Sequence, residues 1–169
     1  MYLKVLASGG DKMMKSHSRR PHRERQPVRI RAHGPSFEDL ERAGRLREVL
    51  DALYEANKKT PVIVEGKKDA LALRNLGLVG EILTLHRGNN LYEFSEEVSE
   101  KFHKVILLLD WDDKGEALHK ILTANLRGQW EEYSGFREIL RILCQKDIKD
   151  IEGIPKLLKN LEGDETAGH

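Results

Sequence analysis

Short, uniformly apolar runs alternate with segments of helical spacing between Pro61 and Gly128. Val62–Glu65, Glu81–His86 and Lys104–Asp110 read as strands; Lys67–Leu76, Leu91–Phe102 and Lys114–Arg127 read as helices. A strand covered on one face alternates apolar with polar residues. These do not, so both faces are expected to be covered. Strand alternating with helix predicts an α/β domain whose central sheet is mostly parallel. Upstream, Leu46, Val49, Leu50, Leu53 and Tyr54 recur at three- and four-residue intervals, predicting an amphipathic helix over 37–59. Ser36 is its expected N-cap, and Pro61 cannot continue it. Downstream, Phe136–Gln145 and Glu152–Leu161 are read as helices, the second with Asp150 as its cap and Pro155 near its first turn. Trp130–Tyr133 is read as a short fourth strand, giving a sheet of about four strands.

Charge divides the chain more sharply than composition does. The 169 residues carry a net charge of only +1, yet residues 1–36 hold nine Lys/Arg against two Asp/Glu, and residues 37–169 are net −6. The expected organisation is a basic, disordered arm (1–36), an amphipathic helix (37–59), an α/β core (60–133), a C-terminal helical extension (134–163) and a polar tail (164–169). A basic arm on an acidic body suggests a polyanionic partner, with Arg19, Arg20, Arg23 and Arg25 as phosphate contacts. One cysteine, Cys144, excludes an intrachain disulfide framework and a cysteine-rich zinc site. No apolar run reaches the roughly 18 residues of a membrane span, and no secretory h-region is visible. The expectation is a cytoplasmic protein of undetermined oligomeric state.

The chemistry is carried by two acidic clusters, each directly after an apolar run. Glu65-Gly66-Lys67-Lys68-Asp69 follows the first, and Asp110-Trp111-Asp112-Asp113-Lys114-Gly115-Glu116 the third. In an open parallel sheet, ligands bind at the carboxyl ends of the strands. Carboxylates gathered there raise one another's pKa unless a cation neutralises them, and a hard ion such as Mg2+ suits oxygen donors. An Asp-x-Asp after a strand, taken alone, also serves as a helix cap; two clusters on neighbouring strand ends point to a site. Gly66 frees the backbone turn, and Gly115 admits a close approach at the next helix. Lys67 and Lys68 could hold a phosphate or solvate a helix start. Trp111 is read as packing on a neighbouring helix rather than stacking on a base.

These motifs resemble those of the Toprim domain, which topoisomerases, bacterial-type primases and 5S ribosomal RNA maturation nucleases share. The resemblance covers roughly Thr60–Gly128. Glu65-Gly66-Lys67-Lys68-Asp69 is similar to the primase and maturation-nuclease form of the first motif, and Asp110-Trp111-Asp112 to the Asp-x-Asp motif. It implies a Rossmann-like three-layer fold with flanking N- and C-terminal helices. It further implies Mg2+, one ion or two, held by Glu65, Asp110 and Asp112, with Glu65 as general acid or base. Asp69, one turn into the helix, could orient a bound water or a basic residue, and Glu116 could support the ligands or simply suit the first turn of its helix. The turn containing Arg87, Gly88 and Asn89 would face the same crevice and contact substrate phosphate. The chain has no room for topoisomerase strand-passage machinery, and its one cysteine is too few for a primase zinc ribbon. The expected function is a Mg2+-dependent nuclease on structured RNA or DNA. The alternative is a non-catalytic module that binds nucleic acid through the same fold.

Overall fold

The computed structural model describes residues 34–85 and 90–163. The basic arm as far as residue 33, the loop residues Arg87, Gly88 and Asn89, and the polar tail lie outside the described residues. Helix α1 (Phe37–Asn57) begins where Ser36 Oγ accepts the Asp39 backbone N–H at 3.1 Å. Strand β1 (Val62–Val64) is followed by α2 (Lys67–Asn75), β2 (Ile82–Thr84), α3 (Leu91–Lys101) and β3 (Ile106–Leu107). Helix α4 (Asp113–Asn125), a 3-10 turn (Glu131–Tyr133), α5 (Ser134–Cys144) and α6 (Ile154–Glu162) complete the order.

The sheet is parallel, with order β2-β1-β3. Val62 pairs with Ile82 and Ile106, and Ile63 with Leu83 and Leu107. Alternate residues of the uniformly apolar runs divide between two cores. Val62, Val64, Ile106 and Leu108 pack with Leu46, Leu50 and Leu53 of α1, Leu140 and Cys144 of α5, and Leu157 and Leu158 of α6. Ile63, Leu107 and Leu109 face Phe94 and Val98 of α3 and Leu122 of α4. Strands buried on both faces thus keep their period of two, but apolar residues satisfy both phases.

The expected fourth strand is absent: Trp130–Tyr133 is instead the entry to the 3-10 turn and the turn itself. Gln129 O accepts the Val105 backbone N–H at 2.9 Å, so the chain touches the start of β3 and then leaves it. Gly128 sits at φ +83°, and the Glu131 carboxylate accepts the Gly128 N–H, closing a local turn. Glu131 and Glu132 are exposed acids that gain nothing from a sheet position.

The junction between α1, β1 and β2 is held by buried Asn57. Its Nδ2 donates to Thr60 O (3.1 Å) and Glu81 O (3.0 Å), and its Oδ1 accepts the Gly80 N–H at 2.8 Å. One side-chain amide thus ties together three backbone groups from the two turns that flank β1 and β2.

Candidate metal centre

The strand order sets the carboxyl ends of β1 and β3 side by side. From β1 the chain winds outward to β2, then returns to lay β3 against the other edge of β1. Winding that reverses between adjacent strands opens a crevice at their carboxyl ends. Glu65 follows β1 on one side of that crevice; Asp110 and Asp112 follow β3 on the other.

Charge on Asp112 acts on Glu65, and charge on Glu65 acts on Asp110. Asp110 is 8% exposed, and burial is the main cause that raises its pKa to about 7. The Ile151 backbone N–H, 2.9 Å from Asp110 Oδ1, opposes that shift, while negative charge on Asp69, Glu65 and Asp150 adds to it. Glu65 is half-buried and is raised chiefly by burial and then by Asp112; Lys114 and the Asp110 backbone N–H pull the other way. Asp112 Oδ1 accepts the Gly115 N–H at 2.7 Å and so caps α4. The cap reading and the site reading of Asp-x-Asp therefore describe the same side chain. Gly115 is required there, because a Cβ on it would overlap the Asp110 carbonyl.

Asp69 is held at the turn that carries Glu65. It is 7% exposed, its Oδ2 accepts the Gly66 N–H at 3.0 Å, and the Glu152 backbone N–H also reaches its carboxylate. Its pKa is raised, first by burial and then by Glu152 and Asp150. Lys67 and Lys68 are exposed at the start of α2. Glu116 turns away from the acidic crevice to pair with Arg137 at 2.9 Å.

Arg137, Asp150 and Glu152 carry no signature in the motifs, yet they shape the site. Arg137 is 5% exposed and donates from Nε to Leu109 O (2.8 Å) and from Nη2 to Asp110 O (2.7 Å). The loop between α5 and α6 is fastened to the end of β3. The Trp111 N–H donates to Lys149 O, and Trp111 Nε1 donates to Ile148 O at 2.7 Å. Trp111 is thus a packing residue, 9% exposed. One signal for Arg137 was present in the sequence. It stands in register with Leu140 and Cys144 on the apolar stripe of α5, where an unpaired charge would be costly.

The donor set fits a hard divalent cation. Glu65 Oε1 is buried without a hydrogen-bond partner among the described residues, an orphaned carboxylate oxygen at the mouth of an acidic crevice. Every candidate ligand there is a carboxylate oxygen, the chemistry Mg2+ prefers. Among the described residues no three of these side chains are already drawn into a closed ligand cage. Asp110 Oδ1 and Asp112 Oδ1 are engaged with backbone N–H groups instead.

A pH dependence follows from Asp110. Its folded pKa, about 7, lies above the ordinary 3.8, so the folded state binds this proton more tightly than the unfolded chain does. The resulting stabilisation is complete below the ordinary value and is lost as pH climbs through about 7. In the metal-free protein, stability is expected to fall by roughly 1–2 kcal/mol between about pH 5 and about pH 8, after discounting for solvent screening. Mg2+ should stabilise more at the higher pH, and Asp110→Asn should flatten the profile. Denaturant midpoints across that range check this; a profile identical in wild type and Asp110→Asn would refute it.

Comparisons with known proteins bear on the family and the fold. The Toprim domain model matches residues 60–142. A UPF0292 protein of Methanosarcina barkeri is 35% identical over 120 residues, spanning 67% of this chain and 80% of that protein. A second, from Methanosarcina acetivorans, is 38% identical over 125 residues, spanning 67% and 79%. A third, from Thermococcus sibiricus, is 39% identical over 111 residues, spanning 65% and 85%. A solved structure, described as a putative protein from Aquifex aeolicus, superposes with a TM-score of 0.54 at 28% identity, covering 63% of this chain and 95% of that one. Among the described residues no helix is long and apolar enough to cross a membrane.

Proposed function

The chain belongs to the UPF0292 family of Toprim proteins, and from that premise we propose that it is a Mg2+-dependent nuclease acting on structured RNA or DNA. The observation that supports the reading is the half-buried Glu65 carboxylate, its Oε1 without a hydrogen-bond partner among the described residues, beside buried Asp110 at the crevice between β1 and β3. Glu65, Asp110 and Asp112 would hold the ion, or two ions sharing Asp110. A divalent ion there supplies charge neutralisation at the scissile phosphate and a more acidic bound water.

The chain's own residues supply the rest. Burial holds the Glu65 carboxyl above its ordinary pKa, which suits it to keep a proton for a leaving oxygen or to accept one from water. Asp69 fixes the Gly66 turn that carries Glu65, and the Arg137 guanidinium fixes the Asp110 carbonyl. Lys114, close enough to lower the Glu65 pKa, offers positive charge where a phosphate would enter an otherwise acidic crevice. Lys67, Lys68 and Arg87, with the basic arm, would hold the strand on either side. A cytoplasmic setting fits a substrate of this kind.

The test is a screen of folded RNA and DNA substrates with purified protein and Mg2+. Wild type is expected to cleave at least one class, and Glu65→Gln to reduce the rate by about 100-fold or more. Cleavage that is unchanged in both Glu65→Gln and Asp112→Asn would assign it to a contaminant. Salt-sensitive binding without turnover would instead support the non-catalytic module, the reading that the net −6 body favours.

A further inference from the structure

A cavity of about 480 Å3 adjoins the carboxylate crevice and has no part in the reading above. Its wall includes Trp111, directly after Asp110, and its floor the buried Arg137 that holds the Asp110 carbonyl. Arg141 and Lys149 add two further cations, against the carboxylates of Glu116 and Glu138. The lining is therefore net positive on a body that is net −6.

Arg137 makes this a built site. Its side chain is 6% exposed, and its Nε and Nη2 are fixed by two main-chain carbonyls and Glu116. Its Nη1 makes no hydrogen bond among the described residues, although the side chain lines the cavity. A guanidinium is a fork of five donors, and one whose position is fixed in advance loses little freedom on meeting an oxyanion. The carboxylates facing it are weak competitors. Glu116 and Glu138 are 52% and 55% exposed, and ion pairs at such positions contribute little. Either can rotate into water when a phosphodiester arrives, since the fixed guanidinium can bond two of its oxygens.

We propose that this cavity is a phosphate-binding subsite that holds a backbone phosphate of the nucleic-acid strand next to the one in the crevice. The identity of its ligand rests on the phosphodiester reading above. Arg137 contributes the fixed donor, Arg141 and Lys149 the mobile charges, and Trp111 an apolar wall for the attached sugar. The volume lies within the range of ordinary ligand pockets, ample for a phosphate with part of its nucleotide. The subsite also gives α5 and the loop before α6 a function that the acidic motifs leave unexplained.

The probe is a short labelled oligoribonucleotide, titrated in Ca2+ to suppress turnover, beside its uncharged peptide-nucleic-acid counterpart. Arg141→Ala combined with Lys149→Ala is expected to weaken oligonucleotide binding about 10-fold or more and to lower the salt slope by about two. Glu138→Gln should tighten binding, because it removes a competitor for Arg141. Mg2+ affinity, read by calorimetry on the same proteins, should not change. Unaltered affinity and slope in the double variant would overturn the subsite, as would equal binding of the uncharged analogue or no binding by wild type. Failure of wild type to bind Mg2+, with the double variant still impaired in oligonucleotide binding, would overturn the metal reading and leave the subsite standing.

Discussion

Arg137→Met is expected to destabilise the protein by about 3–5 kcal/mol. The substitution keeps most of the side-chain volume, so the loss is not a cavity effect. It removes the donors that Leu109 O and Asp110 O use at 2.8 and 2.7 Å, in a position that is 5% exposed. Each buried carbonyl left without a donor costs about 1–3 kcal/mol, and bonds from a charged donor lie toward the upper end. Glu116 adds little, because it can return to water. Arg137→Lys should recover less than half, since one ammonium cannot span two carbonyls that a planar guanidinium bridges. Urea unfolding measures this, and the single cysteine offers a second readout. Cys144 is fully buried and its thiol is pushed up to about 11, so its labelling in native buffer reports opening. An unchanged midpoint in Arg137→Met, with no faster labelling, would show that the guanidinium does not hold the end of β3.

Gly115→Val should be nearly as damaging, for a different reason. Gly115 is buried in the first turn of α4, and a Cβ there would overlap the carbonyl and crowd the Cα of Asp110. The obstacle is backbone rather than the end of a flexible side chain, so relief requires β3 and α4 to separate. The expected cost is about 3 kcal/mol or more. Gly115→Ala, milder in bulk, is the informative partner. It should fold at low temperature with a displaced Asp110, and with Mg2+ affinity reduced more than stability. Gly135→Ala, where a Cβ meets nothing within 4 Å, is the control and should match wild type in both. Tight Mg2+ binding by Gly115→Ala would mean that Asp110 is not a ligand in its present position.

Much of this architecture was legible because its causes are local. Apolar runs with no polar phase report strands covered on both faces, and the core confirms it: Val62 and Ile63, adjacent in sequence, enter opposite layers. Ser36 marked the start of α1 through its own chemistry, accepting the Asp39 N–H, and Gly77, at φ +106°, closes α2 by an equally local cause. The fourth strand failed because Trp130–Tyr133 has strand-forming aromatics, whereas the turn is dictated by Gly128 and the Glu131 carboxylate closing on it.

By itself the sequence determined the layered α/β fold and nominated the acids that face the crevice. Strand patterning and the residues ending each strand are properties of short segments. Only the tertiary structure decided how those acids are held. Asp110 and Asp69 are raised in pKa first by burial and then by negative charge that includes Asp150, on a loop about 40 residues or more further along; backbone N–H groups of the same loop, at Ile151 and Glu152, hold the two carboxylates, and Arg137 locks the Asp110 carbonyl. Burial and charge coupling depend on distance in space, and no spacing along a chain encodes which distant loop will close over a strand end.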